Sequence, residues 1–184
     1  MIRLTGIIAG YLVVAFATAV VAEPGSGPAD YQASPPETRT VESPDGAYRL
    51  VLHSSPGGAT ASLDATQNLD VSLWQRDLPH QFGPRIAFVG NRGTVVLLDE
   101  WINVFTDHAI VVVDVNGATL TTYATDEIAV FLGRPRSQVA AEAKFGPWMM
   151  GVPKLSKDAE SVLVPMGDET LSISLSDGSI STIQ

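Results

Sequence analysis

The sequence contains no cysteine among its 184 residues. Disulfide bonds and thiol chemistry are therefore excluded, and the folded part must be held together by its hydrophobic core alone. The short motifs of common serine hydrolases, zinc proteases, phosphate-binding loops and dinucleotide-binding folds are missing as well. The sequence thus predicts neither a cofactor nor a metal site, and it favours a non-catalytic protein while leaving enzymatic activity open.

Basic side chains are scarce. Lysine and arginine together number 11, against 20 aspartates and glutamates, which gives a formal net charge of −9. Binding to nucleic acid or to anionic lipid requires an excess of basic side chains that neutralise phosphates. The composition therefore disfavours both partners, and acidity of this size is typical of a soluble surface.

Charge is almost absent from the first 22 residues, where Arg3 is the sole charged side chain. Residues 4–22 form an uncharged run with several alanines near its end, which is typical of a cleavable export signal. The alternative is an uncleaved anchor, because 19 uncharged residues are nearly enough to span a bilayer. In either case we expect the rest of the chain outside the cytoplasm, periplasmic or secreted, and tethered to a membrane if residues 4–22 stay attached.

Residues 23–41 are rich in proline and poor in large apolar side chains. Such a segment buries too little surface to offset the entropy lost on ordering, so it is predicted to be a disordered tether. The folded domain is expected over residues 42–184.

The strongest structural signal lies in residues 84–123. Two apolar runs rich in β-branched residues, at 95–98 and 110–113, are flanked by glycine-containing turns, and Asn116-Gly117 is a strong hairpin signal. Both runs are apolar on each face of a strand. They are therefore predicted to be central strands covered on two sides.

Units of a turn followed by strands recur along the chain. Turns near Asp45-Gly46, Asn91-Arg92-Gly93 and Lys157-Asp158 each open a strand. A helical insert near 125–146 separates the second and third units, and its removal leaves a period of about 45 residues, which suits a four-stranded propeller blade. The predicted fold is mainly β, with antiparallel meanders that form a partial, about three-blade propeller-like domain with a short helical insert.

Several segments resemble a group of small exported bacterial proteins with β-propeller-blade-like repeats. They are the turn Ser43-Pro44-Asp45-Gly46, residues 88–101, residues 111–117 and the helix start Thr125-Asp126-Glu127-Ile128. The resemblance extends over residues 42–184. Because that group has no assigned activity, the resemblance implies a fold and a compartment but transfers no catalytic residue. Three blades are too few to close the usual ring, so open sheet edges are expected to be covered by the insert or paired with a second subunit.

The best candidate for chemistry is a cluster around one predicted loop. Asp99 and Glu100 end one strand, and Asp107 and His108 precede the next. A carboxylate beside an imidazole can orient it as a base or share a metal ion with it. The alternative is a solvated loop that carries charges, with Trp101 packed at the edge of a blade.

Five side chains are candidates for binding. Exposed tryptophan rings could hold a carbohydrate, and two neighbouring guanidinium groups could hold a carboxylate or phosphate. The tryptophans are Trp74, Trp101 and Trp148, and the arginines are Arg134 and Arg136. The alternatives are rings that seal the core and an exposed helix end with solvated arginines.

The favoured function is a non-catalytic, extracytoplasmic β-scaffold that binds a protein or an envelope component. One alternative is a hydrolase or metal-assisted enzyme that uses Asp99, Glu100, Asp107 and His108. The other is a carbohydrate-binding protein that uses exposed tryptophans.

Overall fold

Twelve β-strands and two short helices make up the part of the chain that the computed structural model describes, residues 34–55, 57–67 and 72–184. The strands are β1 (Thr38–Glu42), β2 (Tyr48–Ser55), β3 (Gly58–Ala65), β4 (Ser72–Leu78), β5 (Pro84–Val89), β6 (Val95–Glu100), β7 (Ile110–Val113), β8 (Thr119–Tyr123), β9 (Lys154–Leu155), β10 (Ser161–Pro165), β11 (Thr170–Ser174) and β12 (Ile180–Ile183). The helices are α1 (Thr125–Phe131) and α2 (Arg136–Glu142). Within these residues no helix has the length and apolar character needed to cross a membrane. The predicted signal or anchor, and the tether up to residue 33, lie outside the described residues.

Each run of four consecutive strands forms one antiparallel sheet. The first sheet contains β1 to β4, the second β5 to β8 and the third β9 to β12, each in chain order. Both helices lie between the second and third sheets in the sequence, where the helical insert was predicted. The prediction of a mainly β fold built from three blade-like meanders with a short helical insert is confirmed.

The second sheet packs on both of its faces. Strands β6 and β7 are buried along their whole length. One face, which includes Leu97, packs in a core with the first sheet, whereas the other, which includes Leu98, packs in a core with the third sheet and the helices. The prediction that these two strands are central and covered on two sides is confirmed.

The two outer faces of this stack are largely polar. Strand alternation places Ser62 and Gln75 beside Val51, on the face of the first sheet that points away from the second. Ser172 and Ser181 pair on the corresponding face of the third sheet. Stacked repeats need polar terminal faces to stay soluble, and these residues supply them.

The first and third sheets begin their second strands with the same hydrogen-bonded turn. In the first sheet, the Ser43 hydroxyl donates to Asp45 Oδ1 over 2.6 Å, Asp45 Oδ1 accepts from the Ala47 N–H, and the Ser43 Oγ accepts from the Tyr48 N–H. The same three bonds recur in the third sheet between Ser156, Asp158, Glu160 and Ser161. The repeat inferred from sequence is therefore present at the level of individual atoms.

The turn of the second sheet connects these two turns. Asn91 Oδ1 accepts a hydrogen bond from the Asp45 N–H over 3.1 Å, and Arg92 forms an ion pair with Glu160. Neighbouring sheets are thus joined at this end by side chains as well as by their apolar faces.

The folded part begins earlier than predicted. Residues 38–42 form β1, the edge strand of the first sheet, which pairs with β2. An edge strand needs hydrogen bonds on one side only, and half-burial of Arg39 and Val41 gives this polar stretch enough contact to order. The boundary between tether and domain, predicted at residue 41, is therefore placed too late.

Candidate functional site

A group of buried polar side chains lies where β6 ends. Glu100, which is 6% exposed, accepts hydrogen bonds from the N–H groups of Gln81 and Phe82 over 2.9 and 3.2 Å. The Trp101 N–H donates to the carbonyl of Gly83 over 2.9 Å. The loop between β4 and β5, residues 79–83, is therefore held against the end of the second sheet by a carboxylate and by the backbone.

Asp99 is fully buried next to Glu100 and has a left-handed backbone conformation, with φ at 53°. Its Oδ1 accepts a hydrogen bond of 2.6 Å from Trp148 Nε1, while its Oδ2 accepts none from the residues that the structure describes. Burial raises the pKa of Asp99 to about 7, although the Trp148 hydrogen bond and the nearby Arg85 guanidinium oppose that rise. A strained, buried acid with a shifted pKa is typical of a site under functional constraint.

Gly146 closes the space next to this acid. A Cβ atom at this position would lie 2.7 Å from Asp99 Oδ2 and 3.1 Å from Met149 Cε, and the residue has a positive φ of 74°. Only glycine fits such a position without strain. The chain therefore covers the unpaired oxygen of Asp99 and leaves no room for a ligand there.

His80 is the second unusual group of the cluster. Its side chain has no exposed surface, neither ring nitrogen meets hydrogen-bond geometry with any described residue, and its ring centroid lies 6.1 Å from that of His108. Burial lowers the pKa of His80 to about 4; the charges of His108 and Arg39 add to this effect, and the nearby His108 backbone opposes it. His80 is consequently neutral in the folded protein at neutral pH.

Arg39 connects β1 to this end of the second sheet. Its guanidinium donates to the carbonyl oxygen of Arg85 over 3.0 Å and to that of Pro84, and its Cζ atom lies 5.1 Å from the centroid of the Trp101 ring. This places Trp101 beside a cation that is itself held by backbone oxygens.

The loop between β6 and β7, residues 101–109, covers the buried cluster. The N–H of Thr106 donates to Thr125 Oγ1, and the Thr125 N–H donates to the Thr106 carbonyl over 2.9 Å. Thr125, predicted as part of a helix cap, thus fastens the loop to α1, while the carboxylate of Glu127 accepts from the N–H that precedes the helix. Asn103, Val104 and Asp107 remain exposed on the loop.

The surface beside this loop is shallow. Arg136 stacks over Phe105 at 4.0 Å from the ring centroid, and the pocket next to them has a volume of about 80 Å³. Sites for small organic ligands typically enclose several hundred Å³. The outside of the loop therefore suits contact with a large partner better than enclosure of a small one.

The four residues predicted as a catalytic or metal cluster have separate roles. Asp99 accepts a hydrogen bond from Trp148, and Glu100 holds the loop at 79–83. Asp107 is exposed. Within residues 34–55, 57–67 and 72–184, no hydrogen bond or ion pair joins the His108 ring to a carboxylate, and no three potential ligands converge as a metal site would require.

The tryptophans and arginines predicted to bind ligands have partners inside the protein. Trp74 and Trp148 belong to the two cores, and Trp101 is half-buried beside Arg39. Arg134 pairs with Glu142 and Glu169, and Arg136 pairs with Asp126, as shown by N to O distances of 3.2 to 3.9 Å.

Replacing Asp99 with asparagine is expected to change how stability depends on pH. The carboxyl stays protonated up to pH about 7 in the folded protein but ionises near 4 when unfolded, so the folded state binds one extra proton between these values. As the pH rises, the wild type should therefore lose about 1.4 kcal/mol of unfolding free energy per pH unit from this group.

The Asp99→Asn variant lacks that slope, because an amide does not titrate, yet it keeps an acceptor for Trp148. Urea unfolding between about pH 4.5 and 6.5 measures the unfolding free energy of both proteins. The value for the wild type minus that for the variant should fall by about 1 kcal/mol for each unit by which the pH rises. A difference that stays constant with pH would contradict the burial of a protonated acid.

These features define a mainly β protein of three stacked, blade-like sheets with a supported loop at one end of the middle sheet. Its solved structural neighbours include TolB from Acinetobacter baumannii, with 14% sequence identity and a TM-score of 0.41. That similarity covers 80% of this chain and 31% of that one, so this chain spans about a third of the length of the structure it matches. No family model matches the sequence, and the search of curated proteins finds no relative.

Proposed function

We propose that this protein is a non-catalytic β-scaffold outside the cytoplasm that binds a protein or another envelope component through loop 101–109. The observation that carries the proposal is the contrast between the two sides of this loop. Its inner side rests on hydrogen-bonded, buried groups, and its outer side exposes Asn103, Val104 and Asp107. Binding residues are commonly found on loops that a rigid scaffold positions in this way.

The chemistry of the cluster supports binding over catalysis. The carboxylates of Asp99 and Glu100 already accept hydrogen bonds from within the protein, and Gly146 closes the space beside Asp99. A catalytic acid or base must reach a substrate within hydrogen-bond distance. Side chains that fasten loops from inside the fold are instead suited to fixing the shape of the surface above them.

The location proposed for the protein rests on the sequence. The uncharged run at 4–22 after Arg3 is typical of an export signal or anchor, and the absence of cysteine leaves the fold independent of the redox state of the compartment. Separation of cytoplasmic and envelope fractions of cells that produce the full chain tests this part. The mature protein should appear in the envelope or the medium, and retention in the cytoplasm would overturn it.

Site-specific crosslinking in the producing cell tests the binding surface. A photoreactive amino acid placed at Asn103 should give a crosslinked product of defined mass, and the same probe at Gln75, exposed on the outer face of the first sheet, should give none. Val104→Asp should lower the yield from the probe at Asn103 by about tenfold, because a partner surface would have to desolvate the new carboxylate.

Gln75→Glu serves as the control, because it adds a charge to an exposed side chain outside loop 101–109 and should leave that yield unchanged. Equal products from the probes at Asn103 and Gln75, or none from either, would overturn the proposal.

A further inference from the structure

We propose that residues 79–83 and 101–109 form an acid-opened latch, which stays closed while the buried imidazole of His80 is neutral and is released when that ring is protonated. The latch is defined by contacts inside the protein, and its opening does not depend on a partner. Its use in controlling binding rests on the proposed function of loop 101–109.

His80 is buried when the latch is closed. The side chain has no exposed surface, and among the described residues neither ring nitrogen meets hydrogen-bond geometry, although the His108 backbone lies near enough to offset part of the effect of burial. A protonated imidazole carries two N–H donors and a full charge, and burying unpaired donors and charge is costly. The closed latch therefore accepts only the neutral ring.

The charged groups around the His80 ring also disfavour its protonation. Arg39 faces it from β1, His108 faces it from loop 101–109, and Arg85 lies in the same cluster from β5. The carboxylates in the cluster are Glu100, which holds backbone N–H groups of residues 81 and 82, and Asp99. Neither is hydrogen-bonded to His80, so a proton on that ring would meet cations without a paired anion.

Acidification also weakens the negative side of the cluster. With a pKa of about 7, Asp99 is already largely uncharged in the pH range below 6.5 where opening would let His80 bind a proton. Arg39 and Arg85 keep their charge over the same range. The cluster thus loses negative charge as the pH falls while its two arginines stay charged, which makes a proton on the buried His80 ring still less favourable.

Opening of the latch requires only these two loops to move. The latch is closed by hydrogen bonds from residues 81 and 82 to Glu100, from Trp101 to Gly83 and between Thr106 and Thr125, whereas β6 and β7 are buried between two other sheets. Because the pKa of His80 is lowered to about 4, the open form binds a proton more strongly than the closed form. The opening constant should rise as the pH falls from about 6.5 towards 4, by at most about tenfold per pH unit midway between these values.

Hydrogen exchange of the full-length protein, resolved by residue and corrected for the intrinsic rate at each pH, measures this opening. The amides of Gln81, Trp101 and His108, which are hydrogen-bonded inside the latch, should show an opening constant about fifteenfold larger at pH 5 than at pH 6.5. Amides of the turn at 114–118, at the opposite end of β7, should show no such change. Exchange has to be followed residue by residue, because a fall in pH raises the free energy of global unfolding through Asp99 and lowers it through His80.

Two variants separate the latch from general effects of acid. His80→Gln should remove the pH dependence, because its amide cannot be protonated, and His53→Gln should keep it, because His53 is exposed and bonded to Thr38. If His80→Gln does not fold, an NMR titration of the His80 ring in the wild type provides the test instead. The ring should stay neutral at pH 5 in the closed protein.

An opening constant independent of pH in the wild type, or a His80 ring protonated at pH 6.5 with both loops still closed, would overturn the latch. A latch that opens with acid in a protein that gives no crosslink at Asn103 would overturn the proposed function and leave the latch standing. The two proposals therefore fail separately.

Discussion

Replacing Trp148 with alanine should lower the free energy of unfolding by about 5 kcal/mol, a large share of the total stability of an ordinary domain. Trp148 is fully buried in the core that joins the second and third sheets and the helices, so its removal leaves a large cavity. It also removes the donor to Asp99 Oδ1, and a buried carboxyl would then lack its hydrogen bond. Urea unfolding at constant pH measures the loss.

Two further variants separate the hydrogen bond of Trp148 from the burial of its ring and provide a surface control. Trp148→Phe keeps most of the buried ring but not the N–H, so it should cost about 2 kcal/mol. Val130→Ala, at a side chain that is 81% exposed on α1, should change stability by no more than about 0.5 kcal/mol. A loss below about 1 kcal/mol for Trp148→Ala would contradict the position of this ring in the core.

Replacing Gly178 with alanine should cost about 3 kcal/mol, because the residue combines a positive φ with a close approach between two sheets. Its φ is 74°, and a Cβ atom there would lie 2.4 Å from Thr121 Cγ2 in the outer strand of the second sheet. Gly46 is the matched control, with a φ of 70° and no atom within 4 Å of the same position. Gly46→Ala should therefore cost about 1 kcal/mol, the strain alone.

A double-mutant cycle tests the contact between sheets directly. Thr121→Ala removes the methyl group that the new Cβ would meet, so the two substitutions together should cost less than the sum of the separate losses by about 1 kcal/mol or more. Combining Thr121→Ala with Gly46→Ala should give a simple sum. Additivity in both pairs would mean that the third sheet does not pack against the second at this turn.

The sequence predicts the middle sheet best because local and global signals agree there. The runs at 95–98 and 110–113 are apolar on both faces, and Asn116-Gly117 supplies the positive φ that its hairpin needs, at 84° for Gly117. The carboxylate of Asp114 then accepts the N–H groups of Asn116 and Ala118. Sequence alone is sufficient where turn chemistry and hydrophobic pattern favour the same structure.

The first sheet shows where such reasoning fails. Residues 58–65 form β3 although their sequence is rich in small residues and lacks a strong strand pattern. Its inward side chains include Ala59 and Ala61, which are buried because β2 and β4 flank them and the second sheet covers them. The strand depends on its neighbours, and hydrophobic periodicity cannot reveal that.

Only some residues of the buried cluster carry a signal in the sequence. Asp99 and Glu100 were noticed because they are acids next to a predicted loop, but their roles depend on distant residues, with Trp148 lying 49 positions away from Asp99. His80 carried no signal, since it lies in a stretch that reads as a plain loop and its burial comes from Arg39 and His108. Charge and loop position can be read from a sequence, whereas burial and missing partners require the packed structure.

Loop 101–109 is built on a middle sheet that is covered on both faces. Native-state hydrogen exchange of the folded chain near neutral pH tests it most directly. Amides of β6 and β7 should be the slowest in the described part of the chain, exchanging through global unfolding alone, with β1 and β12 at the edges exchanging much faster. Fast exchange in β6 and β7, with slower exchange in the first or third sheet, would contradict the stacked arrangement and the support that it gives to the loop.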